Sequence, residues 1–219
     1  MGKKIGVVLS GCGVFDGAEI HESVVTLLAL DRHGAEVVMC APDVPQLHVV
    51  NHLTGEVEEG ESRNVLVESA RIARGTIRNV AEVSADELDG LILPGGFGAA
   101  KNLCDFAVKG PDCAVNPDVA SLVRAVHAQG KPVAAVCIAP ALVARVLGNE
   151  KPELTIGTDA DTAGALETMG AEHVSCPVNE FVVDRDKKLI TSPAYMLAQS
   201  ISEAAEGIER TVEELLRMA

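Results

Sequence analysis

The chain has 219 residues, a formal net charge of −14, 47% hydrophobic and 23% charged residues, and four Phe, one Tyr and no Trp. This balance describes a folded globular protein whose core is built from Val, Leu, Ile and Ala. The acidity argues against nucleic acid and anionic membrane surfaces as partners, since both need clustered Lys and Arg.

In chain order, Lys4–Leu9 reads as a buried strand, because a short apolar run ends in glycines. Glu19–Arg32 reads as a helix closed by Gly34, with Val24, Leu27, Leu28 and Ala29 on its apolar face. Glu36–Ala41 is the second strand, stopped by Pro42. Val44–Asn64 is polar and irregular, an insertion or a dimer arm. Val65–Ala73 is a short helix, and Leu91–Leu93 a third buried strand that runs into Pro94-Gly95-Gly96-Phe97-Gly98. Asn116 caps a helix that has Pro117 in its first turn and ends at Gly130. Pro132–Val136 is the fourth strand, ended by Cys137, and Pro140–Leu147 a helix. A short strand over Leu154–Ile156 and a helix over Thr162–Met169 follow. Phe181–Asp184 and Lys188–Thr191 form a hairpin, and a last helix spans Met196–Met218.

Alternating strands and helices predict an α/β fold, a mostly parallel, doubly wound sheet with helices on both faces. Residues 1–219 form a single domain in this reading. No apolar run approaches the ~18 residues of a membrane span, and no targeting segment is read. The six cysteines show neither CxxC nor zinc-ligand spacing, so reduced thiols in a cytoplasmic protein are expected. Cys104 and Cys113 flank a loop and could pair.

Ligands of open α/β sheets bind at the carboxyl ends of strands, where Ser10–Glu22, Pro94–Asn102 and Cys137–Pro140 converge. Cys137, between a strand and a helix start, is the candidate nucleophile. Exposed N–H groups at a helix N-terminus favour the thiolate and predict a lowered pKa. The Gly96 N–H, with that of Ile138, suits an oxyanion hole. Glu19 and Glu22, three apart on one helix face, both offer a carboxyl that could move a proton to and from the thiol. His21 points about 100° round the helix from Glu22, and each remaining histidine reads as ordinary surface or core. Gly11, Gly13 and Gly17 are spaced GxGxxxG, but the second strand ends in Cys40-Ala41-Pro42 without the acid a ribose needs, which disfavours a dinucleotide.

These segments, in this order, resemble the class I glutamine amidotransferase-like superfamily and its PfpI-type branch. Lys4–Glu22 (KIGVVLSGCGVFDGAEIHE), Asn51–Glu56 (NHLTGE), Leu93–Asn102 (LPGGFGAAKN), Cys137–Ala141 (CIAPA), Leu154–Asp161 (LTIGTDAD) and Thr191–Gln199 (TSPAYMLAQ) resemble the ElbB family of isoprenoid biosynthesis glyoxalases. The resemblance implies a flavodoxin-like fold, a homodimer and a nucleophilic cysteine at Cys137. It also implies a partner carboxyl twelve residues before the helix-closing glycine, which is Glu22, with Glu19 as the fallback. It further implies a cofactor-independent, glyoxalase-type lyase that converts glyoxal to glycolate, with a small aldehyde or dicarbonyl as substrate and no metal, glutathione or nicotinamide. Amidases and peptidases of the superfamily place a histidine beside the cysteine. Here Ile138 follows Cys137 and Leu154–Asp159 holds no histidine, which speaks against amidotransferase or peptidase activity. A redox-sensing or regulatory protein with a reactive Cys137 is the alternative to an enzyme.

Overall fold

The computed structural model describes residues 2–219. In chain order the strands are β1 (Lys4–Val8), β2 (Glu36–Ala41), β3 (Arg78–Asn79), β4 (Gly90–Leu93), β5 (Val133–Val136), β6 (Glu153–Leu154), β7 (Glu172–His173), β8 (Val182–Asp184) and β9 (Leu189–Ser192). The helices are α1 (Ile20–Arg32), α2 (Val65–Ile72), α3 (Phe97–Lys101), α4 (Phe106–Lys109), α5 (Pro117–Ala128), α6 (Pro140–Leu147), α7 (Ala160–Thr168) and α8 (Ile201–Met218). Seven strands form one sheet in the order β3-β2-β1-β4-β5-β9-β8, and β6 pairs with β7 separately. All neighbours in the large sheet are parallel except β8, which pairs antiparallel with β9. This is the mostly parallel, flavodoxin-like sheet with helices around it that the sequence predicts.

Strand alternation fills two cores. Ile5 and Val7 of β1, Ile92 of β4 and Ala134 of β5 pack on one face with Leu30 of α1 and Val212 and Leu215 of α8. Val8, Leu91, Leu93, Val133 and Ala135 point the other way, onto Val119, Val123 and Val126 of α5 and Leu142 of α6. A period of two in strands buried on both faces gives near-continuous apolar runs, which is why these strands are legible in the sequence. Asn116 caps α5 by accepting from the N–H groups of Asp118 and Val119, with Pro117 at the first helical position.

Several expectations are corrected. On α1, Val24 and Leu28 are 49% and 41% exposed. The buried face is instead Glu22, Ser23, Thr26, Ala29 and Leu30. The face turned to the sheet is partly polar because it also serves a site. The last helix begins at Ile201, capped by Ser200, and not at Met196, since Ala194–Met196 form a separate 3₁₀ turn. Residues 97–101 and 106–109 are helical, too short to leave a periodic signature. All six cysteines are free. Residues 44–64 carry only isolated bridges, Pro45 to Asn64 and Val50 to Val57. They lie over the loop after β1, where the Val50 N–H donates to Asp16 Oδ2 at 2.7 Å.

Candidate active site

Three loops leave the carboxyl ends of β1, β4 and β5, adjacent strands in the sheet, and meet above them. Their backbones interlock. The Glu19 N–H donates to Gly95 O at 2.9 Å, the Phe97 N–H to Val14 O at 2.8 Å and the Gly98 N–H to Gly17 O at 2.8 Å. Gly95 and Gly96 must be glycine for different reasons. A Cβ on Gly95 would lie 2.4 Å from Cys137 Cβ and 2.7 Å from Glu22 Oε2. Gly96 has a φ of 92°, and a Cβ there would meet backbone atoms at 2.3 Å and 2.5 Å. The glycine pair is therefore what lets the β4 loop pass against the Cys137 and Glu22 side chains.

Cys137 leaves β5 with a φ of 62°. Non-glycine residues seldom adopt this left-handed region, and held there they store strain of order 1–3 kcal/mol. The turn is held where the Cys137 N–H donates to Ser192 O of β9 at 3.0 Å. It presents the sulfur to the Glu22 carboxyl and to the N–H groups of Gly96 and Ile138. The four residues singled out in the sequence therefore meet at one point.

The two glutamates separate cleanly. Glu19 is the N-cap of α1, its Oε2 accepting from the Glu22 N–H at 2.6 Å. Glu22 is fully buried. Its Oε2 accepts from the Gly95 N–H at 2.9 Å and its Oε1 from the Tyr195 N–H at 3.1 Å. Burial pushes the Glu22 carboxyl up to about 7; the Glu19 charge adds to this, while the Tyr195, Cys137 and Gly95 hydrogen bonds oppose it. Of the two candidates, Glu22 is the one placed at the sulfur.

The expected depression of the thiol is corrected. Burial, and then the Glu22 charge, push Cys137 well above the ordinary thiol range, against the Gly96 and Ile138 N–H groups that pull it down. Desolvation outweighs the start of α6, whose first residue is three positions further on at Pro140. Burial thus favours the protonated sulfur, beside a carboxyl pushed up to about 7.

Cys137 opens onto a pocket of about 500 Å³. Phe97, Phe106, Ile138 and Met196 supply apolar wall, and Glu19, Asp159, Thr162 and Tyr195 its polar positions. Tyr195 has no role assigned by the sequence alone. It follows β9, the neighbour of β5, so extending the strand-end rule one strand further would have found it. Ala194 before it has a φ of 44° and, like Cys137, is a non-glycine residue in the left-handed region. This turn aims the Tyr195 N–H at Glu22. The Tyr195 hydroxyl hydrogen-bonds the exposed His21 at Nδ1, 2.8 Å away. Among the described residues no group of three or more His, Cys, Asp or Glu is arranged to hold a metal ion.

The DJ-1/PfpI family matches residues 12–203. The chain is 48% identical to the glutamine amidotransferase-like class 1 domain-containing protein 3, mitochondrial, of Homo sapiens, across 98% of this chain and 83% of the relative. It is 47% identical to the ES1 protein homolog, mitochondrial, of Rattus norvegicus, across 98% and 84%. The crystal structure of an isoprenoid biosynthesis protein with an amidotransferase-like domain from Ehrlichia chaffeensis superposes with a TM-score of 0.92 at 36% identity, covering 99% of this chain and all of that one. Both curated relatives are named as mitochondrial, which overturns the cytoplasmic expectation. Free cysteines separate reducing from oxidising compartments, not one reducing compartment from another. Matched over most of its length and nearly half identical to these relatives, the chain belongs to the DJ-1/PfpI family.

Proposed function

We propose that the protein is a cofactor-independent glyoxalase of the ElbB type, acting on small dicarbonyls through Cys137. The observation that carries this reading is the buried Glu22 carboxyl, raised to about 7, in contact with the Cys137 thiol at the base of a pocket. A base of that strength accepts a thiol proton at neutral pH and returns it readily.

The steps balance without an external oxidant. Glu22 takes the Cys137 proton as the sulfur adds to one aldehyde carbon of glyoxal, forming a hemithioacetal. The Gly96 and Ile138 N–H groups stabilise the oxyanion until Glu22 returns the proton. Glu22 then removes the hydrogen on the sulfur-bearing carbon, giving an enediol, and protonates the neighbouring carbon. The sulfur-bearing carbon is oxidised to a thioester while its neighbour is reduced to an alcohol. Water cleaves the thioester, releasing glycolate and the thiol. No histidine takes part, which fits Ile138 standing after Cys137 and disfavours hydrolase chemistry.

The proposal includes a homodimer, supported by the exposed row Ile20, Val24 and Leu28 on α1, and a mitochondrial location, supported by the relatives' names. The test is glycolate formation from glyoxal by purified protein beside Cys137→Ser. Turnover confined to the wild type supports the reading; equal rates in the two proteins contradict it.

A further inference from the structure

Cys104 and Cys113 take no part in the site around Cys137, yet they touch each other. The backbone brings them together. Residues 103–105 run antiparallel to residues 114–116. Cys104 bridges Val115, the Asp105 N–H donates to Ala114 O at 3.1 Å, and the Asn116 N–H donates to Leu103 O at 2.8 Å. The Ala114 N–H also donates to Asp105 Oδ1 at 2.6 Å. The two ends of the loop are thereby clamped, and the two sulfurs hydrogen-bond across its base. Cys104 is buried and Cys113 fully so. Cys113 Sγ also lies 4.0 Å from Met169 Sδ, and Cys104 Sγ 3.3 Å from Ala99 O.

The pair is electrically uneven. The Cys104 hydrogen bond, and then the Arg145 charge, lower the Cys113 thiol against burial; the same hydrogen bond and burial raise Cys104. Arg145 is held there because its Nε donates to Cys113 O at 2.6 Å. One sulfur is disposed to attack as a thiolate while the other keeps its proton, as in reactive dithiols. The loop between them is a surface piece. Neither α4 nor the 3₁₀ turn Gly110–Asp112 buries a residue, so local opening leaves the core intact and admits a small reagent. The same loop carries Phe106 and Ala107, part of the wall of the pocket onto which Cys137 opens.

We propose that Cys104 and Cys113 form a redox-active dithiol that a peroxide closes to a disulfide, and that closure ties down the loop bearing Phe106. The Cys113 thiolate attacks one peroxide oxygen, forming an S–O bond as the O–O bond breaks. The departing hydroxide takes up the proton that Cys113 released and becomes water. The Cys104 sulfur then displaces the oxygen left on Cys113, and that oxygen departs as a second water with the Cys104 proton. Two thiols are oxidised to one disulfide while one hydrogen peroxide is reduced to two waters. Cys137 plays no part, so the step is independent of the reading of that residue as an aldehyde-accepting nucleophile.

The test treats the full chain carrying Cys137→Ser with hydrogen peroxide at neutral pH, alkylates it, and digests it without reduction. A peptide linked through Cys104 and Cys113, released by dithiothreitol, is expected. Amide exchange across residues 105–112 is expected to slow by at least roughly 10-fold in the oxidised protein, since a disulfide restricts the opening of the loop it closes. Cys104→Ala should leave Cys113 as a sulfenic acid that dimedone labels, whereas Cys113→Ala should leave Cys104 unlabelled. The linked peptide is read without either of these two variants, so a misfolded variant does not remove the main result. Both thiols still open to alkylation in the unfolded digest, or either one linked to a third cysteine instead, overturns the proposal. Equal dimedone labelling of the two variants overturns the order of attack. A disulfide with unchanged exchange across residues 105–112 overturns the tie to the pocket wall.

Discussion

Cys40 and Cys137 both stand at the carboxyl ends of parallel strands, and both are buried. Cys40 packs in an apolar core with Val8 and Leu88, and burial pushes its thiol up to about 12, the Arg78 charge lowering it and the Glu87 charge raising it to a lesser extent. Cys137 is raised too, yet it touches a carboxyl raised to about 7 and two N–H donors and faces a pocket. A strand end and a high pKa are common to both. What distinguishes Cys137 is a place for its proton to go, a place for the negative charge that forms, and room for a substrate.

The largest expected effect breaks this comparison at the sulfur. Cys137→Ser should lose at least roughly 10³-fold in glyoxal turnover, because a serine hydroxyl is a far weaker nucleophile beside the same base. Cys40→Ser should leave turnover within about twofold while lowering stability by about 1–3 kcal/mol, since it buries a hydroxyl in an apolar setting. Parallel assays and denaturant melts of the two variants check both statements.

Removing the proton acceptor comes next. Glu22→Gln should cost 10²–10⁴-fold, the usual contribution of a positioned general base. Gly95→Ala should cost about 10²-fold, because its new Cβ would be 2.4 Å from Cys137 Cβ and must displace the nucleophile from the Glu22 carboxyl. Steady-state kinetics, with circular dichroism to verify folding, reads both.

The smallest effect is on stability. Glu22 in the folded chain titrates near 7 against an ordinary value of 4.5, so the folded state holds this proton more tightly than the unfolded one. Its contribution is then fully present below about 4.5 and lost as pH rises through about 7, a change on the order of 3 kcal/mol. Glu22→Gln lacks this titration. The stability of wild type relative to Glu22→Gln should fall by that amount between pH 4 and pH 8, measured by denaturant unfolding at each pH.

The sheet was legible because β1, β4 and β5 are apolar runs between turn residues, and α5 because Asn116-Pro117 and Gly130 mark its ends. The convergence of Cys137, Gly96 and Glu22 followed from the rule that parallel strands present their loops at one edge. Two physical facts were not local. The inward face of α1 could not be read from apolar spacing, because Glu22, Ser23 and Thr26 are turned inward while Val24 and Leu28 stay out. The state of the thiol could not be read from the helix start, because desolvation and the Glu22 charge depend on how three distant segments close over Cys137. Tyr195 was missed because its part in the site runs through its backbone N–H as much as through its phenol.

The most direct measurement is the pH profile of kcat/KM for glyoxal in wild type and Glu22→Gln from pH 5 to 9. Glu22 must be ionised to accept the Cys137 proton. The wild-type rate should therefore climb with pH along a limb centred near 7, and Glu22→Gln should be slow with that limb gone. An unchanged limb near 7 in Glu22→Gln would contradict the assignment of Glu22 as the base that serves Cys137.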